Sequence, residues 1–168
     1  EEGWYCFTLD LRAGYHHCRL NADLSRKCGG KVWLSAPEFE ELHAEGLLPD
    51  NIMWDTVEGG WLYMKADVLT FGLSRSVSVF TKITRQMCRV WRKRGIRMGH
   101  LLDDFLFAAG TYEAACELRD QVVRDLQEWG WFVNFEKSQL NPARVVKWIG
   151  VVIDTIKMRF QIPGEKVV

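Results

Sequence analysis

The stretch HLLDDFLFA, residues 100–108, places two adjacent aspartates, Asp103 and Asp104, in the middle of an apolar run. A buried carboxylate is costly unless it is paired, hydrogen-bonded or bound to a metal. The stretch predicts a strand, a tight turn and a second strand, with the acids at the turn. Two interpretations are open at this point: a solvated turn, in which repulsion can protonate one acid, or a site that binds a cation.

The composition is that of one globular domain with a substantial core. The chain has 168 residues, 48% hydrophobic and 26% charged. Its net charge of zero gives no overall sign of a nucleic-acid partner, and the sequence shows neither an apolar run of membrane-spanning length nor a signal peptide. Five scattered cysteines without CxxC spacing indicate reduced thiols. We therefore expect an intracellular protein, cytoplasmic or nuclear, without a membrane partner.

Hydrophobic periodicity predicts an α+β fold, with helices packed on one face of an antiparallel sheet. The predicted strands are residues 4–10, 59–69, 131–135 and a closing hairpin of residues 145–154 and 157–162. The predicted helices are residues 37–48, 76–94 and 111–129. We expect a single domain over residues 1–168, and a fragment of a longer protein, because the sequence starts almost directly in a strand and stops without an obvious terminal element.

Both long helices carry an apolar stripe that we expect to face the sheet. In the helix of residues 76–94 the stripe comprises Phe80, Ile83, Met87 and Val90. In the helix of residues 111–129 it comprises Ala115, Leu118, Val122, Leu126 and Trp129.

A third acid can be placed beside the pair. Asp10 ends the first predicted strand, and in an antiparallel sheet that point can neighbour the hairpin tip of Asp103 and Asp104. Magnesium takes oxygen ligands, commonly one or two carboxylates together with substrate phosphates. Two such ions, roughly 3.5–4 Å apart, can activate an attacking hydroxyl and stabilise a leaving pyrophosphate. The metal interpretation therefore explains Asp10 as well as the pair.

Five segments resemble, in order and spacing, the motifs of reverse transcriptases, and most closely those of DIRS-like and gypsy-like retrotransposons. The segments are FTLDLRAGYHHCRL (7–20), LTFGLSRSVSVFTK (69–82), LLDD (101–104), GWFVNFEKSQL (130–140) and WIGVVIDTIKMRFQIP (148–163). The resemblance covers nearly the whole chain. It implies a polymerase palm, with part of the fingers and the hairpin that grips the primer end.

The resemblance implies two Mg²⁺ ions, with Mn²⁺ as a possible substitute. The implied metal ligands are Asp10, the carbonyl of Leu11, Asp103 and its partner Asp104. Lys137 is implied to protonate the leaving pyrophosphate or to neutralise its charge, although a lone lysine is usually just solvated.

Further residues of the motifs are implied to contact substrate. Tyr15 falls at the position of an aromatic gate that excludes a ribose 2′-hydroxyl; the alternative is a core tyrosine. Phe71 and Gly72 belong to the second motif, in which a glycine lets the backbone approach template or incoming base, or simply forms a turn.

Two more groups of residues are candidates for contact with nucleic acid, the first from the resemblance and the second from its charge. Trp148, Ile149 and Gly150 are implied to position the primer terminus, although a plain core strand would look the same. Arg85, Arg89 and Arg92 belong to a local basic cluster on the helix of residues 76–94. That cluster suits a phosphate backbone, and a solvated helix face is the alternative.

The implied function is RNA-directed DNA synthesis by template-directed dNTP addition, from a retroelement polyprotein. The implied partners are an RNA or DNA template with its primer, dNTPs, and the remaining fingers, thumb and RNase H regions. The alternatives are a decayed palm that binds nucleic acid or serves as a structural module, an RNA-templated RNA polymerase, and, less well matched, a metal-dependent nuclease or phosphatase. Leu101, Thr70 and Val77 depart from the family pattern, and residues 32–56 are a predicted insertion.

Overall fold

The structure, a computed structural model, describes residues 2–48 and 60–162. In chain order its elements are β1 (Tyr5–Asp10), a 3₁₀ helix (Gly14–His17), α1 (Ala22–Ser25), β2 (Gly29–Trp33), α2 (Ala36–Ala44), β3 (Trp61–Lys65), α3 (Ser76–Lys93), β4 (Arg97–Leu101), β5 (Asp104–Ala109), α4 (Tyr112–Glu128), β6 (Val145–Trp148), β7 (Val151–Asp154) and β8 (Arg159–Gln161). Within those two ranges, no helix combines the length and the apolar character needed to cross a membrane.

The chain divides into two compact units. The main unit comprises residues 1–18 and 71–168, and the inserted unit comprises residues 19–70. The main unit contains the sheets β1-β5-β4 and β6-β7-β8, and the inserted unit contains the pair β2-β3. All of these strand pairs are antiparallel. The predicted α+β class is confirmed, with the described strands distributed over three sheets.

Alternation along β1 and β5 gives one face of this strand pair a row of apolar side chains. Phe7 is opposite Phe107, and Leu9 is opposite Phe105. All of these side chains are buried. The indole of Trp91 on α3 lies edge-on to Phe105 and Phe107, with ring centroids 5.7 and 5.3 Å apart. Helix α3 therefore covers this face, and Asp104, which alternates with these residues, projects from the other one.

The buried stripe of α3 differs from the predicted one. Ile83 and Val90 were predicted to be inward, but each is 37% exposed. The buried side chains of α3 are those of Ser76, Phe80, Thr84, Met87, Cys88 and Trp91. The large ring of Trp91 sets the rotation of the helix, and Thr84 can be buried because its hydroxyl donates to the carbonyl of Phe80 at 3.2 Å.

Helix α4 matches its predicted span closely, but its buried face holds an acid. Trp129 was predicted to be inward and is 36% exposed. Asp125 is buried instead, because its Oδ2 accepts hydrogen bonds from Trp91 Nε1 and Arg94 Nη1, each at 2.7 Å. These bonds join α3 to α4 behind the sheet.

The predicted strand of residues 131–135 is wrong. The structure shows an isolated bridge between Leu11 and Val133 in place of the predicted strand. The alternating sequence reflects burial, since Trp131 and Val133 are buried while Phe132 is 67% exposed. The segment crosses the end of β1 without forming a ladder.

The predicted closing hairpin is a three-stranded meander. Strands β7 and β8 are joined near the predicted position, around residues 155–158. A second turn interrupts the predicted strand of residues 145–154, at Ile149 and Gly150. Their φ angles of 44° and 81° suit a two-residue hairpin turn, in which both residues are left-handed.

The inserted unit has a small core of its own, formed by Leu34, Phe39 and Leu62. Helix α2 begins where the backbone N–H of Ser35 donates to Glu38 Oε2 at 2.8 Å. It ends at Ala44, so its predicted extension to residue 48 is wrong. The glycine that follows, Gly46, has a φ of 69°, which a continuing helix does not allow.

Parts of two predictions fall outside the described residues. The predicted insertion of residues 32–56 is described only up to residue 48. The predicted strand of residues 59–69 begins at Gly59, which is not described, and the observed strand β3 is shorter.

We expect Asp125→Ala to lower the free energy of unfolding by about 2–3 kcal/mol, because it leaves the Trp91 N–H buried without an acceptor. The matched control is Asp120→Ala on the same helix. Asp120 is exposed and pairs with Arg119 at the surface, so its loss should cost about 0.5 kcal/mol. Urea unfolding measures both values, and equal losses would contradict the role assigned to Asp125.

Candidate active site

The strand register brings Asp10 and Asp104 together. They are directly opposite each other at the end of the β1–β5 pair. The N–H of Asp10 donates to Ser138 Oγ at 3.0 Å, and its carbonyl accepts from Asn134 N–H at 2.9 Å. Both backbone groups thus point away from β5, so this is a pair without ladder hydrogen bonds. In such a pair the Cα atoms are about 4.5 Å apart and the side chains share one face.

Asp103 lies in the turn that joins β4 to β5. The preceding residue, Leu102, has a left-handed φ of 56°. The carbonyl of Asp103 accepts a hydrogen bond from Leu11 N–H at 3.1 Å, which ties the turn to the end of β1. His100 Nε2 lies 2.9 Å from the carbonyl of Leu102 and steadies the turn from the α3 side. The three acids are therefore held by backbone contacts.

The acids repel one another. Burial is the largest cause of a raised pKa at Asp10, and the charge of Asp103 adds to it. Burial, Asp103 and Asp10 raise the pKa of Asp104 in that order. The ammonium of Lys137 lowers the pKa of both groups. A bound cation would relieve the same repulsion.

The carboxylates of the site suit magnesium. Among residues 2–48 and 60–162, no group of three His, Cys, Asp or Glu side chains is arranged to hold a metal ion. Magnesium does not need such a cage, since it commonly uses one or two carboxylates together with substrate phosphates and water. Asp10 and Asp104, opposed on one face, supply that number of carboxylates. The residues present therefore fit the ion.

Asn134 and Ser138 fix the position of Asp10. Besides its backbone bond, the side chain of Asn134 hydrogen-bonds the Asp10 carboxyl and lowers its pKa. The hydroxyl of Ser138 accepts from Asp10 N–H and donates to the carbonyl of Asn134 at 2.6 Å. Both residues were recognised as part of a motif, but no role was predicted for them. Their polar character four positions apart, in an otherwise aromatic segment, was the available signal.

Tyr15 and Phe71 lie together beside the 3₁₀ helix. Their ring centroids are 4.8 Å apart in an edge-on arrangement, and Tyr15 also contacts Phe80 at 4.7 Å. Tyr15 is buried, whereas Phe71 is 74% exposed. The close packing explains Gly14, where an added Cβ would come within 2.8 Å of the Phe80 ring.

Gly72 has a φ of 87°, and an added Cβ would meet no atom within 4 Å. The turn after Phe71 therefore needs a glycine for its backbone angle. The open space at this position leaves room for a ligand.

The turn between β6 and β7 carries Trp148, Ile149 and Gly150. The Trp148 ring packs against Gly99 of β4, where an added Cβ would lie 2.9 Å from Cη2. Gly99 is opposite Leu106 and so belongs to the face of the sheet that carries Asp104. The turn residue Ile149 is 47% exposed. The turn and the acids therefore belong to the same side of the central sheet.

Arg85, Arg89 and Arg92 are not brought together with the acids. All three are exposed on α3. That helix covers the apolar face of the sheet, whereas Asp10 and Asp104 project from the opposite face.

Comparisons with known proteins show what the fold is similar to. No curated protein sequence matches the chain. A foamy viral protease-reverse transcriptase in complex with an RNA/DNA hybrid is similar in structure, with a TM-score of 0.69 and 18% identity over 96% of this chain and 17% of that one. A structure of a foamy viral protease-reverse transcriptase in complex with double-stranded DNA is similar too. Its TM-score is 0.68, with 18% identity over 96% of this chain and 27% of that one.

The likeness to those structures establishes the fold, and the chain spans only a minor part of their length. The family model for reverse transcriptase (RNA-dependent DNA polymerase) matches residues 1–153. That match covers most of the sequence and includes Asp10, Asp103 and Asp104. The chain belongs to the reverse transcriptase family.

Proposed function

We propose that the chain carries the nucleotidyl-transfer centre of an RNA-directed DNA polymerase, which adds dNTPs to a primer paired with an RNA or DNA template. The observation that carries this proposal is the opposed pair Asp10 and Asp104, with Asp103 in the adjoining turn. Burial and mutual repulsion raise the pKa of both carboxyls, and a bound cation would relieve that repulsion. The family membership of the chain supports the same activity.

Asp10, Asp103 and Asp104, with the carbonyl of Leu11, would hold two Mg²⁺ ions, or Mn²⁺ in their place. When bound, the ions supply charge stabilisation at the attacking and leaving oxygens. The chain itself orients the reactants, which is the larger part of catalysis of this kind. Lys137, close enough to Asp10 and Asp104 to lower the pKa of both, is suited to stabilise or protonate the leaving pyrophosphate.

The groups around the acids would position the two substrates. Tyr15 would exclude a ribose 2′-hydroxyl, and its edge-on contact with Phe71 would hold the ring in place. Gly72 leaves open space beside that pair for a base. The turn of Ile149 and Gly150, anchored by Trp148, would guide the primer end.

We further propose that the chain derives from a retroelement polyprotein, of the DIRS-like or gypsy-like kind. In that protein, fingers, thumb and RNase H regions would complete the grip on template and primer. Residues 1–168 would form a single palm-type domain, in which the inserted unit extends the palm between its first two motifs.

We expect Asp103→Asn to lower the rate of primer extension about a thousandfold, because it removes a carboxylate that would hold the Mg²⁺ ions whose charge stabilises the transition state. The assay uses the full-length protein, an RNA template, a DNA primer, dNTPs and Mg²⁺. Asp120→Asn, an exposed acid on α4, is the control and should retain activity. Normal extension by the Asp103 variant, or none by a folded wild type that binds template, would refute the proposal.

We expect Asn134→Ala to raise the Mg²⁺ concentration for half-maximal extension about tenfold to a hundredfold, because Asp10 loses the amide that orients its carboxyl. Ser138→Ala should act in the same direction. Asn141→Ala is the control, since the exposed side chain of Asn141 accepts a surface hydrogen bond from Tyr112. A lower maximal rate at an unchanged Mg²⁺ requirement would argue against this positioning role.

We expect Tyr15→Ala to raise the incorporation of rNTPs relative to dNTPs about tenfold to a hundredfold, because the ring no longer blocks the 2′-hydroxyl. Tyr15→Phe keeps the ring and should keep the preference for dNTPs. Competition between the two nucleotide types on one template measures the ratio. If both variants discriminate as the wild type does, Tyr15 is a core residue without a gating role.

A further inference from the structure

Helix α3 carries a basic stripe that the polymerase site does not use. Its sequence, SVSVFTKITRQMCRVWRK, contains five Lys and Arg residues and no Asp or Glu. Arg85, Arg89, Arg92 and Lys93 are all exposed. Among the described residues, these four line a shallow depression of about 460 Å³. We call these four residues the α3 basic stripe.

The charges of the stripe are not compensated within the part of the chain that the structure describes. In residues 2–48 and 60–162 none of the four forms an ion pair. Helix α4 differs, because it carries both signs of charge and uses them in pairs: Asp120 with Arg119 and Asp125 with Arg94. A solvated face would ordinarily mix signs in the same way. The stripe is therefore suited to an external polyanion.

The α3 basic stripe lies outside the catalytic cleft. Helix α3 covers the apolar face of the sheet, and the acids project from the opposite face. Burial lowers the pKa of His100 on β4, and the charges of Arg92 and Arg85 lower it further. The hydroxyl of Thr84, the residue before Arg85, lies 3.0 Å from His100 Nε2, so this part of α3 packs beside β4. A polyanion bound there would not occupy the space in front of Asp10 and Asp104.

The spacing of the stripe matches a nucleic-acid backbone. Arg85, Arg89 and Arg92 lie on one side of the helix, and Arg85 to Arg92 spans about 10 Å at 1.5 Å per residue. One strand of a duplex advances about 3.4 Å per phosphate, so the span corresponds to about three phosphates. The depression contains no aromatic side chain on which a base could stack. The contact would therefore be to phosphates and independent of sequence.

From these observations we infer that the α3 basic stripe binds the phosphate backbone of the polymerase substrate at a point outside the catalytic cleft. The inference rests on the proposed function, because a polymerase binds a long template and primer close to this helix. The backbone belongs either to the primer–template duplex behind the growing end or to the single-stranded template ahead of it. The two sources share one chemistry and differ in their dependence on salt.

The test compares wild type with Arg85→Gln/Arg89→Gln in the full-length protein. Fluorescence anisotropy measures affinity for two labelled substrates, one with a long duplex and one with a long single-stranded template, between 50 and 200 mM KCl. For the substrate that reaches the stripe, the slope of log affinity against log salt should fall by about 1.8 for duplex or about 1.4 for a single strand. Between 50 and 200 mM KCl, the loss of affinity in wild type should therefore exceed the loss in the variant about twelvefold for duplex, or about sevenfold for a single strand.

Two further variants serve as controls. Lys27→Gln/Arg124→Gln removes the same charge from exposed positions elsewhere and should leave the slope unchanged. Arg85→Lys/Arg89→Lys keeps the charge and should retain the wild-type slope. The inference would be overturned if the salt slope of the glutamine variant were unchanged, or if the Lys27 and Arg124 variant showed an equal fall in slope. It would also be overturned if the stripe bound polyglutamate more tightly than nucleic acid.

Primer extension by the same proteins separates this inference from the proposed function. The glutamine variant should still extend a primer at low salt, because the acids are intact. If wild type extends the primer but the glutamine variant keeps the wild-type salt slope, the inference about the stripe is overturned and the proposed function stands. A stripe-dependent slope without any extension by wild type would overturn the polymerase and leave the stripe as a nucleic-acid contact.

Discussion

The opposition of two like charges across β1 and β5 constrains the rest of the main unit. The charge of Lys137 opposes the repulsion at both Asp10 and Asp104, and Asn134 lowers the pKa of Asp10 as well. The register that pairs them also sends the phenylalanines of both strands to the other face. A slip by one residue would bury the acids under α3 and expose the aromatic core. The packing of Trp91 on that core therefore also fixes the position of the acids.

The sequence predicted the elements that alternate regularly, and it failed where a polar group is buried with a partner. On α3, Ile83 and Val90 were predicted to be inward, but Thr84 is buried and they are partly exposed. The hydroxyl of Thr84 is satisfied within its own helix, which periodicity does not detect. Asp125 was missed for a related reason, because its partners Trp91 and Arg94 lie on another helix.

The acids themselves were recognisable from the sequence, but their supports were not. A strand end and a hairpin tip are local features, so Asp10, Asp103 and Asp104 could be placed from pattern and resemblance. The contacts that orient Asp10 come from Asn134 and Ser138, far along the chain, and no local pattern links them. The alternation of residues 131–135 was misleading as well, since it records burial of Trp131 and Val133 without strand pairing.

The distance in sequence between Asp10 and Ser138, 128 positions, has a consequence for biosynthesis. A ribosome delivers the first acid early and the residues that orient it late. Closing a loop of that size costs on the order of 4 kcal/mol of chain entropy, which the contacts of residues 131–143 with β1 must offset. The centre is therefore among the last parts of the main unit to assemble. A nascent chain that ends before residue 138 holds all three acids without the support that makes them a site.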